Sequence, residues 1–320
     1  MSAQAAPGLR VGVTDDAWLE FGPGTLEERV AGLQEMGVQV VRVTLDWYAI
    51  EAEEGTYDWA RDGQLLDALR AAGIEPVVAI WGTPSWANGG RKPNVPPTAS
   101  ASFASFARAA AERFPWVRRW IVWNEPNQRR WLLPPSPVAY VTKLLNPGGA
   151  AIKGVLPKAS IGGGATAPRG ASGGMSPVDF MRGMGRAGAH LDAYAHHPHP
   201  LSPAETPFTG GCSWCRTISM ATLDRLVDET RAVFGSRTRI WLTELGYQTN
   251  PPDKAFGVSF SKQALYLKQA YAIARKNPRI DMMLWFLLRD EPSLGGWQSG
   301  LMTNRGKRKP AFLTFSRLPH

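Results

Sequence analysis

The chain has 320 residues, of which 44% are hydrophobic and 20% charged, and this composition excludes a disordered chain. Its longest apolar runs are far shorter than the roughly 20 residues that a membrane-spanning helix needs, so we expect no membrane partner. The formal net charge is +9, but the basic residues form short scattered groups without a nucleic-acid-binding motif, so we expect no nucleic-acid partner either.

Short apolar runs alternate with amphipathic stretches about eight times along the chain. We predict strands over residues 9–14, 38–45, 75–81, 120–123, 159–163, 189–195, 239–243 and 280–287. We predict helices over residues 26–36, 64–72, 102–113, 137–155, 178–185, 220–234 and 259–276. Since nearly all-apolar strands are typical of parallel sheets covered on both faces, the pattern predicts an α/β fold, a single (β/α)8 TIM barrel. This catalytic domain would span residues 1–320, with residues 1–8 as a disordered or extended stub.

Local signals mark several helix ends. Thr25 precedes two glutamates and is typical of an N-cap. Gly37 and Gly73 follow the last turns of their helices, where a left-handed residue is favoured. Gly149 interrupts the fourth helical pattern and predicts a break or kink there. No Gly-x-Gly-x-x-Gly loop follows the first strand, which disfavours a dinucleotide-binding sheet.

The two cysteines, Cys212 and Cys215, lie in a loop over residues 198–217 that we expect to be an insertion on the functional face. Because no strand precedes them, a small loop disulfide is favoured over a thioredoxin-like redox pair, and two free thiols remain the alternative. Zinc would need two further ligands, which are absent at the usual spacing. A disulfide favours a secreted or cell-envelope protein, although residues 1–7 lack the pattern of a signal peptide.

Two glutamates end predicted strands. Glu125 follows the fourth strand in Trp-Asn-Glu-Pro-Asn, and Glu244 ends the seventh in Leu-Thr-Glu-Leu-Gly. Active sites of such barrels lie at the carboxyl ends of the strands, so we expect both carboxylates on one rim. Glycoside hydrolysis typically needs a facing pair of carboxylates, and the anomeric configuration is retained if they are about 5–5.5 Å apart. Pro126 is expected to keep Glu125 extended, and the Asn124 amide can bond a sugar hydroxyl.

Residues 123–127 and 242–246 resemble the acid/base and nucleophile segments of clan A glycoside hydrolases, which are retaining (β/α)8 enzymes. The remaining strands and loops look like those of families 39 and 5, and the matching segments are 41–47, 53–59, 83–86, 192–199, 284–286 and 300–312. The resemblance implies that Glu125 is the general acid/base and Glu244 the nucleophile. It further implies that Asn124 bonds the 2-hydroxyl of the sugar and that Arg42 contacts the nucleophile.

Arg42 and the histidines have alternative interpretations. A guanidinium beside Glu244 would keep it ionised, while Glu125 in a less cationic setting could hold its proton, but Arg42 could also merely join strands by an ion pair. His197-Pro198-His199 stands where many relatives have His-Pro-Tyr, so a contact of His199 with the nucleophile is open and His197 is the better candidate. The histidines could also be structural or bind a metal, but the proposed chemistry needs neither metal nor cofactor.

Thirteen tryptophans are available for stacking on sugar rings. Trp285 resembles the eighth-strand tryptophan that floors the first sugar site in the clan, and Trp47, Trp81 and Trp86 are candidates at the rim. We therefore predict a monomeric, secreted, retaining glycosidase acting on a β-linked oligo- or polysaccharide. The alternatives are an inactive carbohydrate-binding barrel and an exo-acting β-glucosidase or β-xylosidase type of enzyme.

Overall fold

The computed structural model describes residues 8–171, 173–212 and 215–319. Within them, eight parallel strands form a closed barrel in chain order. The strands are β1 (Arg10–Thr14), β2 (Val40–Asp46), β3 (Glu75–Trp81), β4 (Arg119–Val122), β5 (Ser160–Thr166), β6 (Ala193–His196), β7 (Arg239–Leu245) and β8 (Ile280–Phe286). This closed sheet confirms the predicted (β/α)8 barrel. Apart from Gly8, the expected N-terminal stub lies outside the described residues.

The helices surround this barrel and include several short ones that the sequence pattern missed. They are α1 (Asp16–Phe21), α2 (Leu26–Glu35), α3 (Trp47–Ile50), α4 (Ala60–Ala71), α5 (Ser85–Asn88), α6 (Ser100–Arg113), α7 (Pro137–Tyr140), α8 (Asn146–Val155), α9 (Pro177–Arg186), α10 (Leu223–Phe234), α11 (Phe260–Lys276) and α12 (Pro310–Ser316). The missed helices α1, α3 and α5 have four to six residues, too few for a hydrophobic period to show. None of the helices in the described part of the chain is long and apolar enough to span a membrane.

The expected helix caps at Thr25, Gly37 and Gly73 are present. Thr25 and Glu28 form a reciprocal capping box at the start of α2, in which each side chain accepts a hydrogen bond from the backbone of the other. Gly37 and Gly73 have φ values of +72° and +70°, the left-handed conformation that favours glycine after a helix. These contacts fix where α2 and α4 meet the following strands.

The predicted break at Gly149 is wrong, because α8 runs through this residue without interruption. The irregularity lies earlier, in a π-helical turn over Val141–Leu145 that joins α7 to α8. A Cβ atom at Gly148 would come within 2.5 Å of the Phe103 ring, and one at Gly149 within 3.2 Å of Ile161. The two glycines therefore serve close packing of α8 against α6 and β5.

Side chains alternate between the barrel interior and the layer of helices. The interior of the barrel is filled by Val40, Val77, Ala79, Ile121, Ala165, Ala193, Ala195, Trp241, Met282 and Leu284. Trp241 occupies much of this space, since a Cβ atom at Gly162 would lie 2.6 Å from its ring. The intervening strand residues pack outward against the helices. This alternation decides which side chains can reach the mouth of the barrel.

A buried ion pair attaches the start of α12 to the loops that follow β7 and β8. Lys309 Nζ lies 2.6 Å from Asp290 Oδ1 and 2.8 Å from Thr249 Oγ1. The side chains of Lys309 and Asp290 are 0% and 2% exposed. Because water does not solvate either charge, each charge depends on the other for its stabilisation.

We expect Lys309→Met to lower the free energy of unfolding by about 3 kcal/mol, because it leaves the Asp290 carboxylate buried without its partner. Denaturant unfolding of both proteins measures this change. The double variant Lys309→Met/Asp290→Asn should recover part of the loss, since no buried charge remains. A single variant as stable as the parent protein would contradict the prediction.

Candidate active site

The carboxyl end of β4 is a tight irregular turn that carries Glu125. Trp123 and Glu125 have φ values of +72° and +36°, and the Glu125 N–H donates to the carbonyl of Ala165 at 3.0 Å. The expected extended conformation of Glu125 is therefore wrong: the residue is left-handed, although no helix begins there. Non-glycine residues hold this conformation only where their surroundings enforce it, and such residues cluster at functional sites.

A β-bulge near the end of β7 sets the direction of Glu244. Leu242 pairs with Met283 and Leu245 with Trp285, so β7 has one residue more than β8 over this stretch. The Thr14 hydroxyl donates to the carbonyl of Thr243 inside the bulge at 2.9 Å. The extra residue shifts the alternation of inward and outward side chains by one position. As a result, Glu244 faces the barrel interior while Leu245 packs outward.

Arg42, on the inner face of β2, joins the two segments. Its Nη1 forms an ion pair with Glu244 Oε1, and its Nη2 donates to Asn124 Oδ1 at 2.8 Å. Because Oδ1 accepts from Arg42, the Asn124 amide presents its NH2 group as the donor for a ligand. Arg42 thus links strands and contacts the predicted nucleophile at the same time.

His197 lies between the two glutamates. Its Nδ1 is 3.0 Å from Glu125 Oε1 and 3.6 Å from Glu244 Oε2, and its side chain is 0% exposed. One ligand atom from each of the three side chains lies within 4.8 Å of the others. The structure therefore brings carboxylate oxygens of Glu125 and Glu244 within 4.8 Å of each other.

His199 also reaches Glu244. The Gly246 N–H donates to His199 Nδ1 at 3.3 Å, so in the neutral ring the proton lies on Nε2, which is 3.6 Å from Glu244 Oε2. The ring packs against Trp297 and Phe286, with centroid distances of 4.7 and 5.5 Å. The histidine is thus placed to donate a hydrogen bond to Glu244, the predicted nucleophile.

The surroundings of Glu244 favour its ionised form. Burial alone would raise the pKa of this carboxyl, but electrostatic interactions with His197 and Arg42 and the contact with His199 lower the pKa well below its usual range. An ionised carboxylate is the form that a nucleophile needs. The expected effect of a guanidinium on Glu244 is thus present.

We expect His199→Phe to lower kcat/KM by about tenfold to a hundredfold, the effect of losing one hydrogen bond to a charged group. Because the variant removes a contact that lowers the pKa of Glu244, the acid limb of the pH profile of kcat/KM should move to higher pH. His199→Tyr, which retains a donor, is the matched control and should keep more activity. An unchanged acid limb in His199→Phe would contradict this role.

A second set of carboxyl groups, which sequence reasoning missed, lines the rim near β1 and β2. Asp46 follows Arg42 on the inner face of β2 and pairs with Trp81 of β3. Burial and the nearby charge of Asp16 raise the pKa of Asp46 to about 6, and the same two causes raise that of Glu20 to about 7 despite its ion pair with an arginine. The period of two that places Arg42 inward would have identified Asp46.

The four candidate tryptophans lie in different environments. Trp81 is half-buried at the rim, with its ring 5.2 Å from that of Trp131. Trp86 is half-buried, but its Nε1 donates to the Glu51 carbonyl and its ring packs against Trp47. Of the four, Trp81 is the one that lies on the inner face of its strand, in line with Val77 and Ala79.

Trp47 and Trp285 have no exposed surface. Both are 0% exposed and pack in the layer between barrel and helices. Trp285 Nε1 donates to the Ser299 carbonyl at 2.9 Å. Because Met282 and Leu284 point inward, the inner residue at the end of β8 is the half-buried Phe286. The predictions that Trp285 forms the floor of the first sugar site and that Trp47 contacts a sugar at the rim therefore do not fit the positions of these residues.

Cys212 and Cys215 form a disulfide in the loop between β6 and α10. This confirms the expected loop disulfide, and both cysteines are used in it. The two residues between them lie outside the described residues.

Several solved glycoside hydrolases have the same fold over almost the whole chain. A family 39 glycoside hydrolase from Bacteroides cellulosilyticus WH2 has a TM-score of 0.77 and 20% identity, over 97% of this chain and 64% of that one. An exo-β-1,4-mannosidase from Opitutaceae bacterium strain TAV5 has a TM-score of 0.67 and 18% identity, over 99% and 61%. Xylanase 10B from Thermotoga maritima has a TM-score of 0.66 and 13% identity, over 96% and 94%.

The chain has the fold of these glycoside hydrolases. It spans less than two thirds of the length of the family 39 enzyme and of the mannosidase. No protein-family model matches the sequence, and no curated protein matches it. The resemblance drawn from the motifs is thus confirmed at the level of the fold.

Proposed function

We propose that the protein is a retaining glycoside hydrolase that cleaves β-linked oligo- or polysaccharides by double displacement. The observation that carries this proposal is the approach of Glu125 and Glu244 oxygens to within 4.8 Å across the mouth of the barrel. Retaining enzymes need about 5–5.5 Å between the carboxyl groups, whereas inverting enzymes need about 6.5–9.5 Å to admit a water molecule.

In the first step, Glu244 attacks the anomeric carbon while Glu125 transfers its proton to the glycosidic oxygen. The C–O bond breaks, the protonated leaving group departs, and a glycosyl ester of Glu244 remains. In the second step, Glu125 takes a proton from water, whose oxygen attacks the same carbon and releases Glu244. Arg42 and His199 hold Glu244 ionised and oriented, and the Asn124 NH2 group is placed to bond the 2-hydroxyl of the sugar.

The carboxyl groups near β1 and β2 and the half-buried aromatic residues at the mouth of the barrel are the side chains that would hold a sugar. We place the sugar that is transferred to Glu244 beside Asp46, Trp81 and Phe286, because these residues continue the inner faces of β2, β3 and β8. Carboxyl groups bond sugar hydroxyls, and half-buried aromatic rings pack on the C–H faces of sugars. The mannosidase and xylanase among the structural relatives make β-mannosides and β-xylosides the first substrates to test.

Proton NMR of the first-formed product tests the mechanism. We expect hydrolysis of an aryl β-glycoside to yield the β-anomer before mutarotation, because two inversions at one carbon restore the configuration. An α-anomer at the earliest time points would overturn double displacement. Absence of turnover on a panel of aryl β-glycosides and β-linked polysaccharides would favour the alternative of a carbohydrate-binding barrel.

The same panel distinguishes an endo-acting from an exo-acting enzyme. Release of only monosaccharide from the chain end would establish the exo-acting β-glucosidase or β-xylosidase type, whereas a ladder of oligosaccharides would establish internal cleavage. We further propose that the protein is monomeric and is secreted or held in the cell envelope. The Cys212–Cys215 disulfide supports the location, because disulfides persist in oxidising compartments.

A further inference from the structure

Three side chains at the catalytic centre have the arrangement of metal ligands. His197 Nδ1 lies 3.0 Å from Glu125 Oε1 and 3.6 Å from Glu244 Oε2. Ligand atoms about 2.0–2.2 Å from a tetrahedral Zn²⁺ are separated by roughly 3.3–3.6 Å. The 3.6 Å contact of His197 matches an edge of a zinc tetrahedron and the 3.0 Å contact is slightly shorter than one, while the two carboxylate oxygens, within 4.8 Å, would have to move closer together to complete it.

His197 is aimed into this cluster. Its side chain is 0% exposed, and its Nε2 has no hydrogen-bond partner among the described residues. The polar contacts of its ring in the described structure are at Nδ1, towards the two glutamates. A buried imidazole with one nitrogen directed at two carboxylates is a strong ligand for borderline transition metals.

The carboxylates have oxygens available for an ion. Arg42 pairs with Glu244 Oε1, which leaves Oε2 directed at His197. The side chains of Glu125 and Glu244 are 18% and 12% exposed, so an ion can enter from the mouth of the barrel. Arg42 itself opposes a divalent cation, and its charge limits the affinity of the site.

His199 does not complete the ligand set. Its Nδ1 accepts from the Gly246 N–H, so the proton of its neutral ring lies on Nε2, the atom nearest Glu244. The fourth position of a tetrahedral ion is thereby left to water, as in zinc sites with three protein ligands.

We propose that the catalytic centre is also an inhibitory transition-metal site, in which Zn²⁺ or Cu²⁺ binds Glu125 Oε1, His197 Nδ1 and Glu244 Oε2. The ligand atoms must be deprotonated to hold the ion, so binding releases to water any proton that they carry. The ion then holds both catalytic carboxylates and excludes substrate. Mg²⁺ and Ca²⁺, which prefer oxygen ligands, should bind much more weakly.

Calorimetric titration of the untagged, chelator-treated protein with ZnCl2 or CuCl2, without substrate, tests the site. We expect one ion per chain and a Kd raised at least about tenfold in Glu125→Gln and in His197→Ala, since each removes a ligand. Glu125→Gln is nearly isosteric and serves if His197→Ala fails to fold. The exposed His190 is the matched control, and His190→Ala should bind as the parent protein does.

Unchanged affinity in both Glu125→Gln and Glu244→Gln would overturn the proposal. So would loss of binding in Cys212→Ser/Cys215→Ser, which would assign the ion to reduced thiols. Absence of binding at millimolar Zn²⁺ and Cu²⁺ would overturn it as well. Because the titration contains no substrate, its result is independent of whether the protein hydrolyses glycosides; inhibition of turnover is a separate measurement that rests on the proposed function.

Discussion

Glu244→Ala should abolish hydrolysis of both activated and natural substrates, with kcat lowered by at least about 10⁴-fold. No other carboxylate in the described site is held against Arg42 and both histidines, so nothing replaces the atom that attacks the anomeric carbon. Steady-state kinetics on an aryl β-glycoside and on an oligosaccharide measure the loss. Since both steps pass through the glycosyl ester of Glu244, a better leaving group should not restore the rate.

A control variant tests whether the loss of activity is specific to Glu244. Glu229 forms an ion pair with Arg182 on the surface, away from the mouth of the barrel, and Glu229→Ala should retain the activity of the parent protein. Circular dichroism should show both variants to be folded. Substantial hydrolysis by folded Glu244→Ala would remove this residue from the nucleophile role.

Glu125→Ala should have a different profile, because its proton matters in proportion to how poor the leaving group is. We expect kcat/KM on unactivated oligosaccharides to fall by about 10²–10⁴-fold, whereas substrates with acidic phenol leaving groups should lose much less. Deglycosylation becomes slow in this variant, since no base activates water. Azide should accelerate it by entering the vacated space and attacking the ester, which yields a β-glycosyl azide.

The contrast between the two variants is the decisive measurement. Thin-layer chromatography or NMR identifies the β-glycosyl azide, which should form with Glu125→Ala from an aryl β-glycoside. Equal residual activities and equal responses to azide in the two variants would contradict the assigned roles. An azide product of α-configuration from Glu125→Ala would exchange the roles of Glu125 and Glu244.

The barrel and the shared position of Glu125 and Glu244 were predictable from the sequence because both rest on local patterns. Buried parallel strands give apolar runs, and the polar residues that end these runs, such as Glu125 and Glu244, must share one rim once the sheet closes. The loop disulfide was predictable because two cysteines three residues apart in a Gly- and Pro-rich segment, with no preceding strand and no further zinc ligands at the usual spacing, favour a disulfide over a redox pair or a zinc site. The Gly37 and Gly73 caps follow from backbone sterics alone.

The directions of individual side chains were less predictable. Trp285 and Phe286 are adjacent in sequence, and only the register of β8 shows that Phe286 reaches the interior while Trp285 packs against the helices. Trp47 follows the last inner residue of β2 and turns outward in the same way. The left-handed backbone at Glu125 depends on a hydrogen bond to Ala165 of the neighbouring strand, which no local propensity encodes.

The extra residue in β7 has a consequence for anyone who redesigns or aligns this chain. If the same sequence formed a regular strand without the bulge, Thr243 would face the interior and Glu244 would turn into the layer of helices. A gap-free comparison with a regular strand would likewise assign the wrong residue to the pore. The inward direction of Glu244 is therefore specified by backbone length as much as by the identity of its side chain, and a transplanted site must carry that length with it.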